Sequence, residues 1–158
     1  MRLKPLQQWV CDTCGEIIEK PEDGYVQFGP FEPMTGYTDF IIVHHLSASP
    51  RKNICRDGCY KYHSDIDLSH YLGTNGISSL LALVDPGVLM RPVLPTASTS
   101  DFRKWVELFR RLQTPYYEEA RLYFDRAYND GFFDGANEIW PYLPDTLRHI
   151  VEHYADNR

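Results

Sequence analysis

The chain has 158 residues, a formal net charge of −6, 43% apolar and 24% charged side chains. That is enough apolar material for a real core and too much for a disordered chain. The acidic balance disfavours broad electrostatic binding of nucleic acid, and no stretch of 18 apolar residues offers a transmembrane helix.

Residues 1–66 read as a β-rich module. Trp9-Val10 runs into Cys11-Asp12-Thr13-Cys14-Gly15, and Glu16-Ile17-Ile18-Glu19 follows. Pro21-Glu22-Asp23-Gly24 is a turn ahead of Tyr25-Val26-Gln27-Phe28, and its Asp-Gly step between apolar runs predicts a hairpin. Gly29 to Gly36, with two prolines, reads as a loop. Asp39-Phe40-Ile41-Ile42-Val43-His44-His45 is a β-branched strand.

Residues 67–158 change to helical period. Ile77, Leu80, Leu81 and Val84 predict one face of a short helix after Gly73-Thr74-Asn75-Gly76. Residues 86–100 read as a Pro/Ser/Thr linker. Ser100 is a candidate cap for a helix whose face is Phe102, Trp105, Val106, Phe109 and Leu112. Thr114, with Pro115 behind it, is the candidate cap of a third helix. Its face is Tyr116, Ala120, Tyr123, Phe124 and Ala127, and Gly131 ends it. A last helix starts near Pro144 and buries Leu147, Ile150, Val151 and Tyr154. The fold expected is α+β: a small metal-stabilised β module, then three to four helices packed on it. Net charge is −3 in residues 1–70 and −3 in residues 71–158, so charge does not mark the boundary.

All four cysteines lie in the first module: Cys11, Cys14, Cys55 and Cys59. The leading Met1-Arg2-Leu3-Lys4-Pro5 passes into Gln7 and Gln8 without an apolar signal segment, so the expected compartment is the cytoplasm. Thiols stay reduced there, and four of them read as metal ligands rather than as two disulfides. Cys11-x-x-Cys14-Gly15 resembles a zinc knuckle: two thiolates in a tight turn grip one ion, and the glycine frees the backbone. Cys55 and Cys59 supply a second pair, and the arrangement resembles zinc-ribbon and treble-clef modules over about a third of the chain. The resemblance implies one structural Zn2+ with four soft or borderline ligands. The simplest set is Cys11, Cys14, Cys55 and Cys59; three cysteines with His44 or His45 is the other. Strand alternation points these two histidines to opposite faces, so at most one faces the metal. A thioredoxin-like role for the Cys-x-x-Cys pair lacks its βαβ frame.

One catalytic pattern overlaps this module. A histidine at a strand end, a later asparagine and a further histidine resemble the HNH endonucleases. That resemblance implies His45 (or His44) as general base, Asn53 as its orienting partner and His63 as a ligand for a divalent ion. The step of eight residues from His45 to Asn53 is short for that family, and basic residues are few: Arg51, Lys52, Arg56 and Lys61.

Three further strings yield less. His149-Ile150-Val151-Glu152-His153 matches the inverzincin H-x-x-E-H, yet both histidines fall about 110–150° from the apolar face of their helix. Asn129 to Gly135 looks calcium-like, but the loop positions land on Arg126 or Phe132. Leu68 to Val84 resembles a helix-turn-helix whose second helix has no Lys or Arg to read DNA. The polar-aromatic stretch from Tyr116 to Tyr142 reads either as core or as a ligand groove. The functional expectation is a cytoplasmic zinc-binding protein that acts through protein or ligand interaction, its metal structural and saturated. The alternatives are an HNH-like nuclease and a zinc-containing DNA-binding regulator.

Overall fold

The computed structural model describes residues 2–32, 36–90 and 99–155. Its N-terminal part is built from short antiparallel pairings and its C-terminal half from helices, an α+β arrangement. Strand β1 (Trp9–Val10) pairs with β2 (Ile17–Ile18), so the loop they close is the Cys-x-x-Cys knuckle. Strand β3 (Gly24–Phe28) is the centre of a three-stranded sheet. A two-residue pairing of β4 (Phe31–Glu32) with β5 (Gly36–Tyr37) follows. Then β6 (Phe40–His44) covers one edge of β3, with Val26 opposite Ile42, and β7 (Ser64–Asp67) covers the other, with Val26 opposite Ile66.

The Asp23-Gly24 step does not turn a hairpin. Residues Pro21–Asp23 form a 3-10 turn, and Gly24 is extended at φ −130° rather than left-handed. A Cβ there would meet Leu68 Cδ2 at 2.9 Å. The glycine serves close packing, and β3 finds its partners far along the chain.

Helices α1 (Gly73–Ala82), α2 (Phe102–Gln113), α3 (Tyr117–Ala120), α4 (Phe124–Asn129) and α5 (Pro144–Tyr154) follow, with a 3-10 turn at Arg121–Tyr123 joining α3 to α4. The expected linker spans residues 86–100, and its central residues 91–98 lie outside the described residues. Helix α1 starts inside the expected turn, and Gly76 is pressed onto Tyr71: a Cβ would lie 2.1 Å from that residue's carbonyl carbon. Only Leu80 of the expected apolar face is buried; Leu81 is 51% exposed. The cap of α2 is Asp101, which accepts from the backbone N–H groups of Arg103 and Lys104. Ser100 instead donates its hydroxyl to Tyr37 O. The buried face of α2 is Trp105, Leu108, Arg111 and Leu112, rotated from the expected one so that it includes a charge. Thr114 makes no side-chain cap for α3, whose entry is set by Tyr116 at φ +67°. In α5 the buried residues include Leu147, Ile150, Val151 and Tyr154, as the period predicts.

Two apolar clusters result. One joins the sheet to α1 and α2, from Trp9 and Ile42 through Leu80 to Leu112. The other is helical, centred on Tyr117, Ala120, Leu147, Ile150 and Tyr154.

Between them lies a buried ionic network. Arg111 donates through Nε and Nη2 to both Glu118 oxygens at 2.7 and 3.0 Å, and through Nη1 to Asp12 Oδ2 at 2.7 Å. Arg121 grips the same Glu118 carboxylate at 2.8 and 2.9 Å. The backbone joins in: Val10 N–H donates to Glu118 Oε1, Arg111 Nη2 donates to Val10 O, and Trp9 Nε1 donates to Arg111 O. Burial alone would raise the Glu118 pKa, but the Arg111 charge and the hydrogen bonds from Arg121 and Arg111 hold it below the ordinary carboxylate range. Glu118 is therefore an anion, and removing its main counter-charge leaves that anion stranded. Arg111→Ala is expected to destabilise the protein by about 3–5 kcal/mol, read by urea denaturation at neutral pH. Unfolding midpoints equal to wild type would refute the network's role.

The next residue, Glu119, is only 1% exposed and has no ion pair among the described residues. Burial, with the neighbouring Glu118 charge adding to it, pushes its carboxyl up to about 7. The folded state thus binds a proton more tightly than the unfolded chain. The stability this contributes is full below the unfolded carboxylate pKa, near 4.3, and fades as pH rises through 7. Glu119→Gln should remove that slope between about pH 5 and 7, so that stability curves of wild type and variant diverge as pH increases. Parallel curves would rule the carboxyl out as the titrating group.

Candidate metal centre

The knuckle is held by its own backbone. Cys11 N–H donates to Glu16 O and Gly15 N–H to Cys11 O, both at 2.9 Å, and Gly15 sits at φ +77° where a glycine is unstrained. Asp12 ties this loop to β6: its N–H donates to Ile42 O at 2.8 Å, and its Oδ2 accepts from Ile42 N at 2.7 Å. His44 lies two residues beyond Ile42 on the same strand, hence on the same face. The result is one cluster of four donors, Cys11, Cys14, His44 and Cys59, with all ligand atoms within 4.8 Å of one another.

The spacings suit a tetrahedral ion. A metal about 2.3 Å from sulfur and about 2.0–2.1 Å from nitrogen sets S···N near 3.6 Å and S···S near 3.8 Å. His44 Nδ1 lies 3.5 Å from Cys14 Sγ and 3.9 Å from Cys59 Sγ. The opposite ring nitrogen, Nε2, is 3.1 Å from Ile17 O. A carbonyl only accepts, so Nε2 carries the proton and Nδ1 presents its lone pair to the sulfurs. Fixing the tautomer through the far nitrogen is how metal-ligating histidines are held.

Among the protein groups, burial pushes the Cys14 pKa up to about 12, a backbone hydrogen bond from Glu16 opposing it and the Cys11 thiol adding to it. Burial raises Cys59 as well, with the Ser49 hydroxyl pulling it back. Three thiols crowded into one buried site are poor neighbours for each other's charge. A divalent cation reverses that, since a coordinated thiol is deprotonated outright.

Cys59 follows Gly58, at φ +57°, where a Cβ would stand 2.9 Å from Leu46 Cδ1 and 3.0 Å from Ser49 Oγ. Buried Ser49 accepts from Arg51 N–H at 3.1 Å, so its hydroxyl proton is free to point at Cys59 Sγ, 3.1 Å away.

Cys55 is not among the four. Its N–H donates to Arg51 O and its carbonyl accepts from Gly58 N–H, which places it at the start of the turn that delivers Cys59. In sequence the two cysteines look like a pair. The turn between them brings only the second to the cluster, and His44 supplies the fourth donor. Strand alternation limits the choice to one of His44 and His45 without saying which, and the fold brings His44 to the cluster. The Ile17 carbonyl behind its ring has no sequence signature.

The three residues of the nuclease resemblance have other surroundings. His45 accepts from Ser47 N–H at 3.2 Å and lies against Tyr25 with centroids 4.7 Å apart. Asn53 is exposed in the turn before Cys55, and His63 is exposed just ahead of β7. No hydrogen bond among the described residues links them, and His44, the other candidate base, is in the cysteine cluster. His149, Glu152 and His153 are exposed on α5. Among the described residues the Cys3His group is the one set of three or more metal donors drawn together. No described helix is long and apolar enough to cross a membrane.

No family model, curated protein or solved structure matches the chain.

Ser49→Ala should weaken metal binding about 10- to 100-fold while leaving the stoichiometry at one ion, because it removes the donor behind one ligand. Chelator competition with zinc reads this directly. An unchanged affinity would mean that the Ser49–Cys59 contact does not tune the site.

Proposed function

We propose that the protein binds one structural zinc through Cys11, Cys14, His44 and Cys59, and acts through what it binds rather than through chemistry at the metal. The observation that carries this reading is His44. Its Nε2 proton is engaged by Ile17 O and its Nδ1 faces the sulfurs, so its lone pair is aimed at the space that the three thiols share. Four ligands saturate a tetrahedral zinc and leave no open position for water or substrate. Soft sulfur donors with one imidazole favour zinc over calcium, magnesium or manganese. Such an ion fastens the knuckle, the end of β6 and the turn before Cys59 to one point, a role that suits a module of two-residue pairings and turns. The four cysteines are all free, and thiols stay reduced in the cytosol, which supports a cytoplasmic location. A protein partner fits a saturated metal better than a substrate does, and the net charge of −6 weighs against nucleic acid.

The test is metal content of protein purified without added metal, combined with X-ray absorption at the zinc edge. The expected result is one zinc per chain with three sulfurs at about 2.3 Å and one nitrogen at about 2.0–2.1 Å. Cys55→Ser should keep the metal, and His44→Ala should lose it or bind it far more weakly. Four sulfur neighbours, or zinc lost in Cys55→Ser and kept in His44→Ala, would overturn the ligand set. Absence of metal after anaerobic purification, with no uptake on titration, would overturn the function.

A further inference from the structure

The aromatic stretch between Tyr116 and Tyr142 divides in the fold. Tyr117 is buried in the helical core. Phe124, Tyr128, Phe133 and Tyr142, with Asp125 and Pro141, line an open groove of about 360 Å³. Phe124 and Tyr128 are one turn apart on α4, and Asp125 lies beside them. The Phe124 ring stands nearly perpendicular to two others: Phe133 at 6.3 Å and 76°, and Tyr142 at 6.5 Å and 79°. Tyr128 is 75% exposed, although a ring of its size gains from cover.

We infer that this groove binds a small solute carrying a quaternary ammonium group. Aromatic faces are negative, and four rings line this groove, Phe124, Tyr128, Phe133 and Tyr142, so a cation seated in it meets aromatic surface on more than one side. Asp125 adds the single formal charge in the lining, and no ion pair among the described residues occupies it. The patch has already taken one cation: Arg110 of α2 lies 3.7 Å from the Tyr142 centroid. That contact occupies one face of Tyr142, so the ligand would rest chiefly on Phe124, Tyr128 and Phe133. Residues 124–145 carry Asp125, Asp130, Asp134, Glu138 and Asp145 with one arginine, Arg126; Asp130 lies 3.9 Å from Arg126 and Asp145 3.3 Å from Arg148.

The lining also selects the kind of cation. A lysine ammonium brings three N–H donors, each of which needs an acceptor once water is removed. Apart from the Tyr128 and Tyr142 hydroxyls, the side chains lining the groove offer one carboxylate. A quaternary nitrogen has no N–H to satisfy and spreads its charge over methyl groups, which rings and a lone carboxylate can accommodate. The volume is at the lower end of small-molecule sites, which favours a free solute over a modified peptide that would need room along a main chain.

The probe is choline, set against 3,3-dimethyl-1-butanol, which has the same shape with carbon in place of nitrogen. Binding is read on the full chain by saturation-transfer NMR and amide shifts. Choline should bind in the millimolar range and the neutral alcohol at least about tenfold more weakly. Tyr128→Ala should weaken choline by about two- to fivefold, and Asp125→Asn should weaken choline without changing the alcohol. Both side chains are exposed, and thermal unfolding verifies that the variants fold. Equal binding of choline and the alcohol would overturn the proposal in favour of a plain apolar groove. No shift with choline at tens of millimolar would also overturn it. A trimethyllysine peptide binding tenfold or more tightly than choline would overturn the assignment to a small solute.

Discussion

The guanidinium of Arg111 is the contact on which the arrangement of the two parts depends. It is buried, and a buried cation is tolerable only if every donor finds an acceptor and the charge is balanced. Here the acceptors come from three places: Glu118 on α3, Asp12 in the knuckle and Val10 O on β1. Glu118 in turn is met by Arg121 and by the Val10 N–H. Each member is satisfied only while the others are in place. Such a network need not add much net stability, since desolvation offsets most of the attraction, but it penalises every arrangement that separates α2, α3 and the knuckle.

Asp12 couples this network to the Cys3His cluster. It lies between Cys11 and Cys14, and its carboxylate accepts from Arg111 and from Ile42 N–H at once. Through Ile42 it sets the height of β6 against the knuckle, and thus the reach of His44 to the sulfurs. The knuckle is positioned from the helical side by charge, and the zinc proposed for it would fasten the same loop from the sheet side. A β1–β2 pairing of two residues per strand is far below what an isolated hairpin needs, so it depends on such outside support and on the burial of Trp9 and Ile18.

Legibility in the sequence follows the range of the interactions. Residue type and spacing pick out Cys11 and Cys14 as two of the clustered donors, because two thiols and a glycine act within five residues. Alternation along β6 separates His44 from His45, because side-chain direction is local to a strand. Helical period finds α5 and its buried stripe. It misplaces the buried face of α2, because Arg111 is inside, and a period scan reads arginine as solvent-facing. The same applies to Glu118 and Glu119. Glu118 has its charge partners close by in sequence, Arg111 and Arg121, but that all of them go inside depends on Val10 and Asp12 about a hundred residues away, and Glu119 is buried by the fold with no local sign of it. β7 is missed for a related reason: its four residues are exposed, and their place in the sheet comes from β3 alone. Cys55 shows the opposite failure, where a strong local pattern suggests a pairing that the turn geometry does not use.

The two candidate binding features differ in what they ask of the fold. The Cys3His cluster is assembled from three separate segments, the knuckle, β6 and the turn before Cys59, so it exists only when the sheet region is folded. The aromatic groove is assembled from α4, the Gly131 turn and the 3-10 turn Trp140–Tyr142, all within the helical cluster. Arg110 and Arg111 are consecutive on α2, one on the Tyr142 ring and the next in the ionic network. Rotation of α2 sufficient to release one would displace the other. Arg110 and Arg111 thus tie the Tyr142 edge of the groove and the Asp12 end of the ionic network to the same turn of α2.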